Sequence, residues 1–270
     1  MSSNFIGVTG VKGELGSYIF NYLREKGIEI NLNIELGNSK KCEKLVHTIA
    51  RHPSHSAQQI LEANVILLDK LVKAIEHLNT KTLYFISSRI VETYFTLNER
   101  SIWDNSRQNE NLYALSKVFG EILFEKSKIN GFSLRIPALL ESRNKRNFMS
   151  LTLEKMLKEE DIHVHNQDQI FNSFISPEDI VKFIVESNIQ EGWHNINLAC
   201  QPTMTLKDVL LKMKELTKSK SKIIEIKGNF QKIGLVDISL AKDQFGFQPS
   251  NPEISIENWI FGKGQHSRVF

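Results

Sequence analysis

An α/β fold with a doubly wound parallel sheet, Rossmann-like, is predicted by three observations. Strand and helix signals alternate through the first half of the chain, the pattern that produces parallel sheets flanked by helices. A glycine-rich turn, Thr9-Gly10-Val11-Lys12-Gly13-Glu14-Leu15-Gly16, separates the first strand signal from the first helix signal. The stretch between the second strand signal and Leu45-Val46-His47-Thr48-Ile49-Ala50 is too short for another helix and strand, since a parallel crossover takes about a dozen residues or more. The sheet is therefore expected to be trimmed by one strand.

Each element has its own warrant. Residues 4–9 form a short β-prone run, and residues 14–26 place Leu15, Ile19, Tyr22 and Leu23 at helical spacing. Strands follow over 28–34 and 44–49, a helix over 56–78, a strand over 82–87, a helix over 111–130 and a strand over 132–136. Beyond Pro137 the alternation weakens, with helices expected over 147–158, 177–187 and 205–217 among short strands and loops. This divides the chain into a dinucleotide-binding part over 1–137 and a smaller, mixed substrate-binding part over 138–270, some of whose segments return to the first part.

Composition restricts the function classes. The 270 residues, 41% of them hydrophobic, suffice for a large core, and a net charge of +3 is too small to indicate nucleic acid. Lysines gather between Lys212 and Lys227, but apolar residues interleave them as on the wet face of a helix and strand. No apolar run is long enough for a membrane span, and the chain enters its first strand without a signal-peptide pattern. Cys42 and Cys200 give neither a disulfide framework nor a ligand set, so a reducing cytoplasm is expected. His163 and His165 alternate on a strand, with His194 downstream; lacking a carboxylate or cysteine beside them, they are expected to be solvated or satisfied, and no metal is expected.

The chemistry is carried by few residues. In the turn, Gly10 allows a tight bend, Gly13 lets backbone approach a pyrophosphate and Gly16 lets helix and strand pack closely. Tyr113 and Lys117 stand four apart on a helix face. A cation there is expected to lower the phenol's pKa and make Tyr113 a proton donor and acceptor beside a nicotinamide.

With Asn64 in Glu-Ala-Asn-Val, Leu83-Tyr84-Phe85-Ile86-Ser87-Ser88, Leu134-Arg135-Ile136-Pro137, Phe174-Ile175-Ser176-Pro177-Glu178-Asp179-Ile180 and the segment from Val236 to Pro249, these motifs span nearly the whole chain. The sequence resembles the extended short-chain dehydrogenase/reductase family, in its nucleotide-sugar epimerase/dehydratase/reductase branch. The resemblance implies a catalytic set in which Ser88 hydrogen-bonds the reacting oxygen, Tyr113 moves the proton and Lys117 holds the cofactor ribose, with Ser87 as the alternative serine. It implies cofactor contacts along the first strand and turn (Gly7, Thr9, Gly10, Lys12, Gly13, Glu14, Leu15), after the second strand (Asn33, Lys40) and on the later cleft wall. That wall comprises Ala50, Arg51, Asn64, Ile86 and Ser87, the pair Tyr113 and Lys117, and Pro137 with Ala138; a bulky Arg51 stands where the family often has a small residue. Substrate contacts are implied at Ser88, Arg89, Arg143, Arg146, Asn147 and Asn172. Arg143, Lys145 and Arg146 read either as a diphosphate clamp or as a solvated basic loop.

Family dehydratases carry Asp-Glu after the serine or threonine, where this chain has Arg89 and Ile90. The expected activity is NAD(P)-dependent reduction of a nucleotide-linked 4-keto-6-deoxy sugar, with epimerisation by the same Ser-Tyr-Lys set as the alternative and a cofactor-binding regulator without turnover as the alternative of another class. Neutral Asn33 or Ile34 at the second strand's end, with Ser39, Lys40 and Lys41 following, points to NADP; Glu35 on the ribose would select NAD instead. The expected partners are a nucleotide sugar and a second copy of the chain, without nucleic acid or membrane.

Overall fold

In the computed structural model of the protein, the residues described are 5–32, 41–92, 108–141, 147–188, 191–228 and 235–262. They fall into two compact units: Met1–Arg135 with Asn188–Ile196, and Ile136–Ser187 with Asn197–Phe270.

The first unit is built on a sheet. β1 (Ile6–Thr9), β2 (Gly27–Glu29), β3 (Lys44–His47), β4 (Thr82–Ser88), β5 (Gly131–Ile136) and β9 (Trp193–Asn197) run in the order β2-β1-β3-β4-β5-β9 among the described residues. β1 pairs in parallel with β2 on one side and β3 on the other, and β3 pairs in parallel with β4. The register sets Thr9 beside His47 and His47 beside Phe85, so the strand ends lie in one row. The winding direction reverses at β1, which makes the crevice outside Thr9 and His47 the topological switch point where such sheets bind ligands. No strand occurs among the described residues between β2 and β3, in accord with a sheet lacking one outer strand.

Helices follow from periodicity. α1 (Glu14–Leu23) buries Leu15, Gly16, Ile19 and Leu23, and a single 3-10 turn (Arg24–Lys26) completes the helix expected there. The expected helix over 56–78 is interrupted: α2 (Ala57–Leu61) passes through a π turn (Glu62–Ile66) into α3 (Leu67–His77). A π turn accommodates an extra residue, and here it turns Asn64 inward. α3 buries Leu68, Leu71, Ala74 and Ile75, which pack with Leu45, Leu83, Phe85 and Phe124 in the unit's core. α4 (Gln108–Lys126) brings Phe124 to 5.2 Å from both Phe85 and Trp193, ring centre to ring centre.

The second unit has two small parallel pairs, β6 (Ala138–Leu139) with β8 (Phe174–Ile175) and β7 (Ile162–Val164) with β10 (Ile223–Glu225). Its helices are α5 (Phe148–Leu157), α6 (Pro177–Glu186), α7 (Leu206–Thr217), α8 (Ser239–Phe245) and α9 (Pro252–Phe261); α7 packs on α5 and α9. The core joins Met149, Met156, Phe171, Phe174, Val209, Leu210, Met213 and Ile256. Capping boxes start α5 (Asn147 with Ser150) and α7 (Thr205 with Asp208), and Ser176 followed by Pro177 starts α6. His163 is exposed on β7, whose neighbours Ile162 and Val164 are buried, and His165 Nδ1 lies 3.1 Å from the Ile226 carbonyl. No described helix is long and apolar enough to cross a membrane.

Candidate active site

The turn after β1 is shaped by its glycines. Gly10 has φ +73°, a conformation that disfavours any residue with a Cβ. The Gly13 N–H donates to the Gly10 carbonyl at 2.8 Å and closes the turn. Gly13 is also the N-cap of α1, where no side chain accepts from the first-turn N–H groups. The N–H groups of that first turn and the positive end of the helix dipole favour an anion there. A Cβ on Gly13 would meet only the Gly10 carbonyl oxygen, at 3.2 Å, whereas one on Gly16 would collide with that carbonyl and sit 2.6 Å from Thr48 Oγ1. Gly13 thus keeps the outer face open, and Gly16 lets α1 touch the turn.

Three residues expected at the cofactor are held by the scaffold. A Cβ on Gly7 would lie 2.8 Å from Cys42 Sγ and 2.9 Å from Leu45, so this glycine is a spacer inside the core. Leu15 is buried on the inner face of α1. Thr9 is fully buried: its Oγ1 lies 2.9 Å from His47 Nδ1 and accepts from the Thr48 N–H at 3.3 Å, and its carbonyl accepts from Thr48 Oγ1 at 2.7 Å. These bonds tie β1 to β3 beyond their last pair. Burial, assisted by the Lys117 cation, pushes His47 down to about 3, so its imidazole is neutral. Lys12 is exposed and Glu14 half-buried at the helix start, both on the turn's outer side.

Asn64 is expected to touch the cofactor. Its side chain accepts from the Arg51 N–H at 2.7 Å and donates to the Arg51 carbonyl at 3.1 Å and to Ser116 Oγ at 3.0 Å. The amide fixes the backbone of the loop after β3, which holds exposed Ala50 and Arg51, and joins it to α4. Ser116 Oγ in turn donates to the Tyr113 carbonyl at 2.7 Å. The same loop brings the His52 ring to 6.0 Å from the Tyr113 ring.

At the end of β4 three successive residues each bond to α4. The Ile86 carbonyl accepts from Lys117 Nζ at 2.8 Å, the Ser87 hydroxyl donates to Glu121 Oε1 at 2.5 Å, and the Ser88 hydroxyl is hydrogen-bonded to the Tyr113 phenol. Of the two serines, Ser88 therefore joins the tyrosine and Ser87 faces away from it. Lys117 Nζ stands 5.0 Å from the Phe85 ring centre and 5.8 Å from that of Tyr113. Glu121 also accepts two hydrogen bonds from one edge of the Arg135 guanidinium, with Nη2 at 2.6 Å from Oε2 and Nε at 3.1 Å from Oε1. No motif in the sequence marks this pair; the one signal for it is that Glu121 lies four residues beyond Lys117, on the same helix face.

The electrostatics differ from expectation at one point. The Tyr113 phenol is pushed up to about 12 by burial, with the Ser88 hydrogen bond opposing. Lys117 does not lower it, because the ammonium is directed at the Ile86 carbonyl. Burial also lowers Lys117 to about 8, with Glu121 opposing. Tyr113 is therefore a protonated donor at neutral pH, next to a lysine whose charge is lost in the mild alkaline range.

The remaining candidates are dispersed. Arg89 is half-buried after β4, and burial lowers its pKa against the opposing charge of Glu92. In the second unit, Pro137 and Ala138 are half-buried at the start of β6. Asn147 and Asn172, expected at the substrate, have their amides engaged by backbone. Asn147 caps α5 by accepting from the Ser150 N–H at 2.9 Å and donates to the Leu139 carbonyl at 3.0 Å. Asn172 donates to the Cys200 and Val236 carbonyls at 3.3 and 2.9 Å and accepts from the Val236 N–H at 3.0 Å. Asn33, Lys40, Arg143 and Arg146 lie outside the described residues. Lys41 donates to the His77 carbonyl at the end of α3, beside the amino-terminal end of β3 and so away from the switch-point crevice.

The family model of the NAD dependent epimerase/dehydratase family matches residues 33–197, more than half of the chain. Comparison with curated proteins finds no match. Among solved structures, the chain is similar to a UDP-N-acetylglucosamine 4-epimerase from Methanobrevibacter ruminantium M1 in complex with UDP-N-acetylmuramic acid: 21% identity, TM-score 0.72, covering 97% of this chain and 100% of that one. It is similar also to a UDP-glucose 4-epimerase from Thermotoga maritima with UDP-glucose (15% identity, TM-score 0.69, 95% and 97% covered). A third is RMD from Pseudomonas aeruginosa complexed with NADPH (14% identity, TM-score 0.70, 96% and 98% covered). The fold is common to all three. The extent of the family match shows that the chain belongs to the NAD dependent epimerase/dehydratase family, as an NAD(P)-dependent enzyme of the extended short-chain dehydrogenase/reductase type.

Proposed function

We propose that the protein reduces the keto group of a nucleotide-linked 4-keto-6-deoxy sugar with NADPH. The observation that carries this reading is the convergence of Ser88, Tyr113 and Lys117 at the end of β4, beside the glycine turn of the same unit. A dinucleotide pyrophosphate is supported at the turn by the glycine N-cap, which offers no side-chain cap, and by the room over Gly13, where among the described residues a Cβ would meet one atom. A bound nicotinamide supplies hydride to, or accepts it from, the sugar carbon. The chain's own residues handle the oxygen. Reduction builds alkoxide charge, which the Ser88 hydroxyl and the Tyr113 phenol stabilise by hydrogen bonds, and the phenol proton passes to that oxygen. Lys117, charged below about 8, is the residue assigned to the cofactor ribose.

Arg89 and Ile90 after Ser88 support reduction over dehydration, because elimination of water needs a carboxylic acid and carboxylate at that place. Epimerisation stays as the second reading, favoured by the 4-epimerases among the similar structures. Stoichiometry separates the two. A 4-keto-6-deoxy nucleotide sugar should consume one reduced cofactor per sugar converted. Interconversion of UDP-glucose and UDP-galactose with no net cofactor oxidation, and no activity on the keto-sugar, would replace reduction by epimerisation. The reading includes a cytoplasmic, reducing setting, where Cys42 and Cys200 stay as buried thiols.

NADP preference rests on Lys40 and the neutral residues before it, since Lys41 is engaged by the His77 carbonyl. Lys40→Ala should weaken NADPH binding about tenfold and leave NADH unchanged, the loss of one charge-assisted phosphate contact. Lys41→Ala should leave both unchanged. Tighter NADH than NADPH binding in the wild type would overturn the preference.

A further inference from the structure

The end of β4 presents three consecutive groups to three residues one helical turn apart on α4: Ser88 to Tyr113, the Ile86 carbonyl to Lys117 and Ser87 to Glu121. Two of these contacts belong to the proposed chemistry, and the third does not touch it. Glu121 is nevertheless almost wholly buried, and a carboxylate is expensive to bury unless paired and hydrogen-bonded. Here it is both, between the Ser87 hydroxyl and two N–H groups of the Arg135 guanidinium. Arg135 comes from β5, so one carboxylate ties the ends of two neighbouring strands to the helix that carries Tyr113 and Lys117.

We propose that Glu121, held by Arg135, is the positioning residue of this site: it locks the strand end that presents Ser88, and its negative charge keeps the neighbouring Lys117 in its ammonium form. Among the described residues, the charged and titratable groups around Lys117 are few. On α4 they are Tyr113, protonated, and Glu121; on β3 His47 is neutral; on β5 Arg135 stands behind Glu121, with Glu92 also acting on Arg135. Glu121 is the one anion acting on Lys117 in this set, and it opposes the loss of the lysine's charge that burial favours. The electrostatic consequence has a sign for each partner. Neutralising Glu121 removes the anion and leaves the Arg135 cation uncompensated, so Lys117 should lose its proton at lower pH. Removing the Arg135 charge leaves Glu121 uncompensated, so Lys117 should hold its proton to higher pH.

The inference rests on the proposed roles of Tyr113 and Lys117 only for its catalytic consequence, so the experiment reads Lys117 directly. The full-length protein is labelled with 13C-lysine, the Lys117 Cε resonance is assigned by its loss in Lys117→Met, and its shift is followed with pH. The wild type should titrate near pH 8. Glu121→Gln, which keeps an acceptor for Ser87, should move the midpoint down by one pH unit or more; Arg135→Met should move it up. Glu121→Gln/Arg135→Met should return it towards the wild type. Unchanged midpoints in folded single variants, or shifts of the same sign in both, would overturn the proposal. Should Glu121→Gln fail to fold, Arg135→Met alone decides, since a purely structural role predicts no upward shift. Absence of turnover on any keto-sugar would remove the proposed function while leaving this titration, and what it decides about Glu121, intact.

Discussion

Tyr113→Phe should lose turnover by a factor of about 10²–10⁴, the usual contribution of a positioned proton donor, while binding cofactor within about twofold of wild type, since one hydroxyl out of the whole contact surface changes affinity little. Phenylalanine keeps the ring that packs beside His52 and removes only the hydroxyl bonded to Ser88. The phenol is fully protonated at neutral pH, its pKa pushed to about 12, so it is ready to donate in the reducing direction. The reduction rate should then be level through neutral pH and fall as pH rises through about 8, where Lys117 loses the charge with which it is proposed to hold the cofactor ribose. Ser88→Ala should lower turnover by about 10²–10³, as loss of one oxyanion donor does. Ser87→Ala, which instead leaves Glu121 without its hydroxyl donor, should act mainly on stability. Turnover in Tyr113→Phe within tenfold of the wild type would remove Tyr113 as the proton donor. Cofactor binding in the wild type with no turnover on any keto-sugar or nucleotide sugar would favour a regulator using the fold without chemistry.

What the sequence reveals and what it hides divide along a physical line. Helix positions come from the spacing of apolar residues, and the helices over 14–26, 147–158, 177–187 and 205–217 stand within a few residues of where that spacing puts them. The missing sheet strand follows from the length of a single connection. The pairing of Ser88, rather than Ser87, with Tyr113 depends on how the end of β4 lies along α4, which two adjacent serines leave open. Contacts between distant residues are beyond the reach of spacing: Asn172 meets Val236 across 64 positions, and Asn64 meets Arg51 only because a π turn rotates it inward. Family resemblance implies ligand-binding roles for both asparagines, and the structure adds these internal hydrogen bonds, which spacing does not reveal. The pKa of Tyr113 departs from expectation for a related reason. Spacing of four residues puts Lys117 near the phenol, but it gives neither the Ile86 carbonyl that draws the ammonium away nor the depth of burial that outweighs it. The short helix α8 is not legible in the sequence because two turns or so offer too little periodicity to stand out from neighbouring loops.

The glycine turn should separate binding from folding more sharply than any other part of the site. Gly13→Val should abolish cofactor binding at concentrations that saturate the wild type, a loss of at least a hundredfold or about 2.7 kcal/mol, with little change in melting temperature. Its backbone, at φ −79° and ψ 168°, is one that valine adopts readily, and the Cβ meets a single atom at 3.2 Å. The added methyl groups project over the uncapped first turn of α1, where the pyrophosphate is proposed to lie. Gly16→Ala should do the reverse. Its one added carbon overlaps the Gly10 carbonyl and crowds Thr48 Oγ1, which is itself tied to β1. Helix and turn must part to admit it, at a cost of about 3 kcal/mol, the upper end of the usual overpacking range, or roughly 6–12 °C in melting temperature for a domain of this size. Gly10→Ala should resemble Gly16→Ala, because its φ of +73° is unfavourable for alanine and Ile49 lies 2.9 Å from the new carbon. Melting curves with and without NADPH measure both quantities together: Gly13→Val should melt as the wild type does without cofactor and gain nothing on its addition, and Gly16→Ala should melt lower yet still rise with cofactor. Equal losses of melting temperature in all three variants would mean that the turn serves the fold alone, and that the pyrophosphate lies elsewhere.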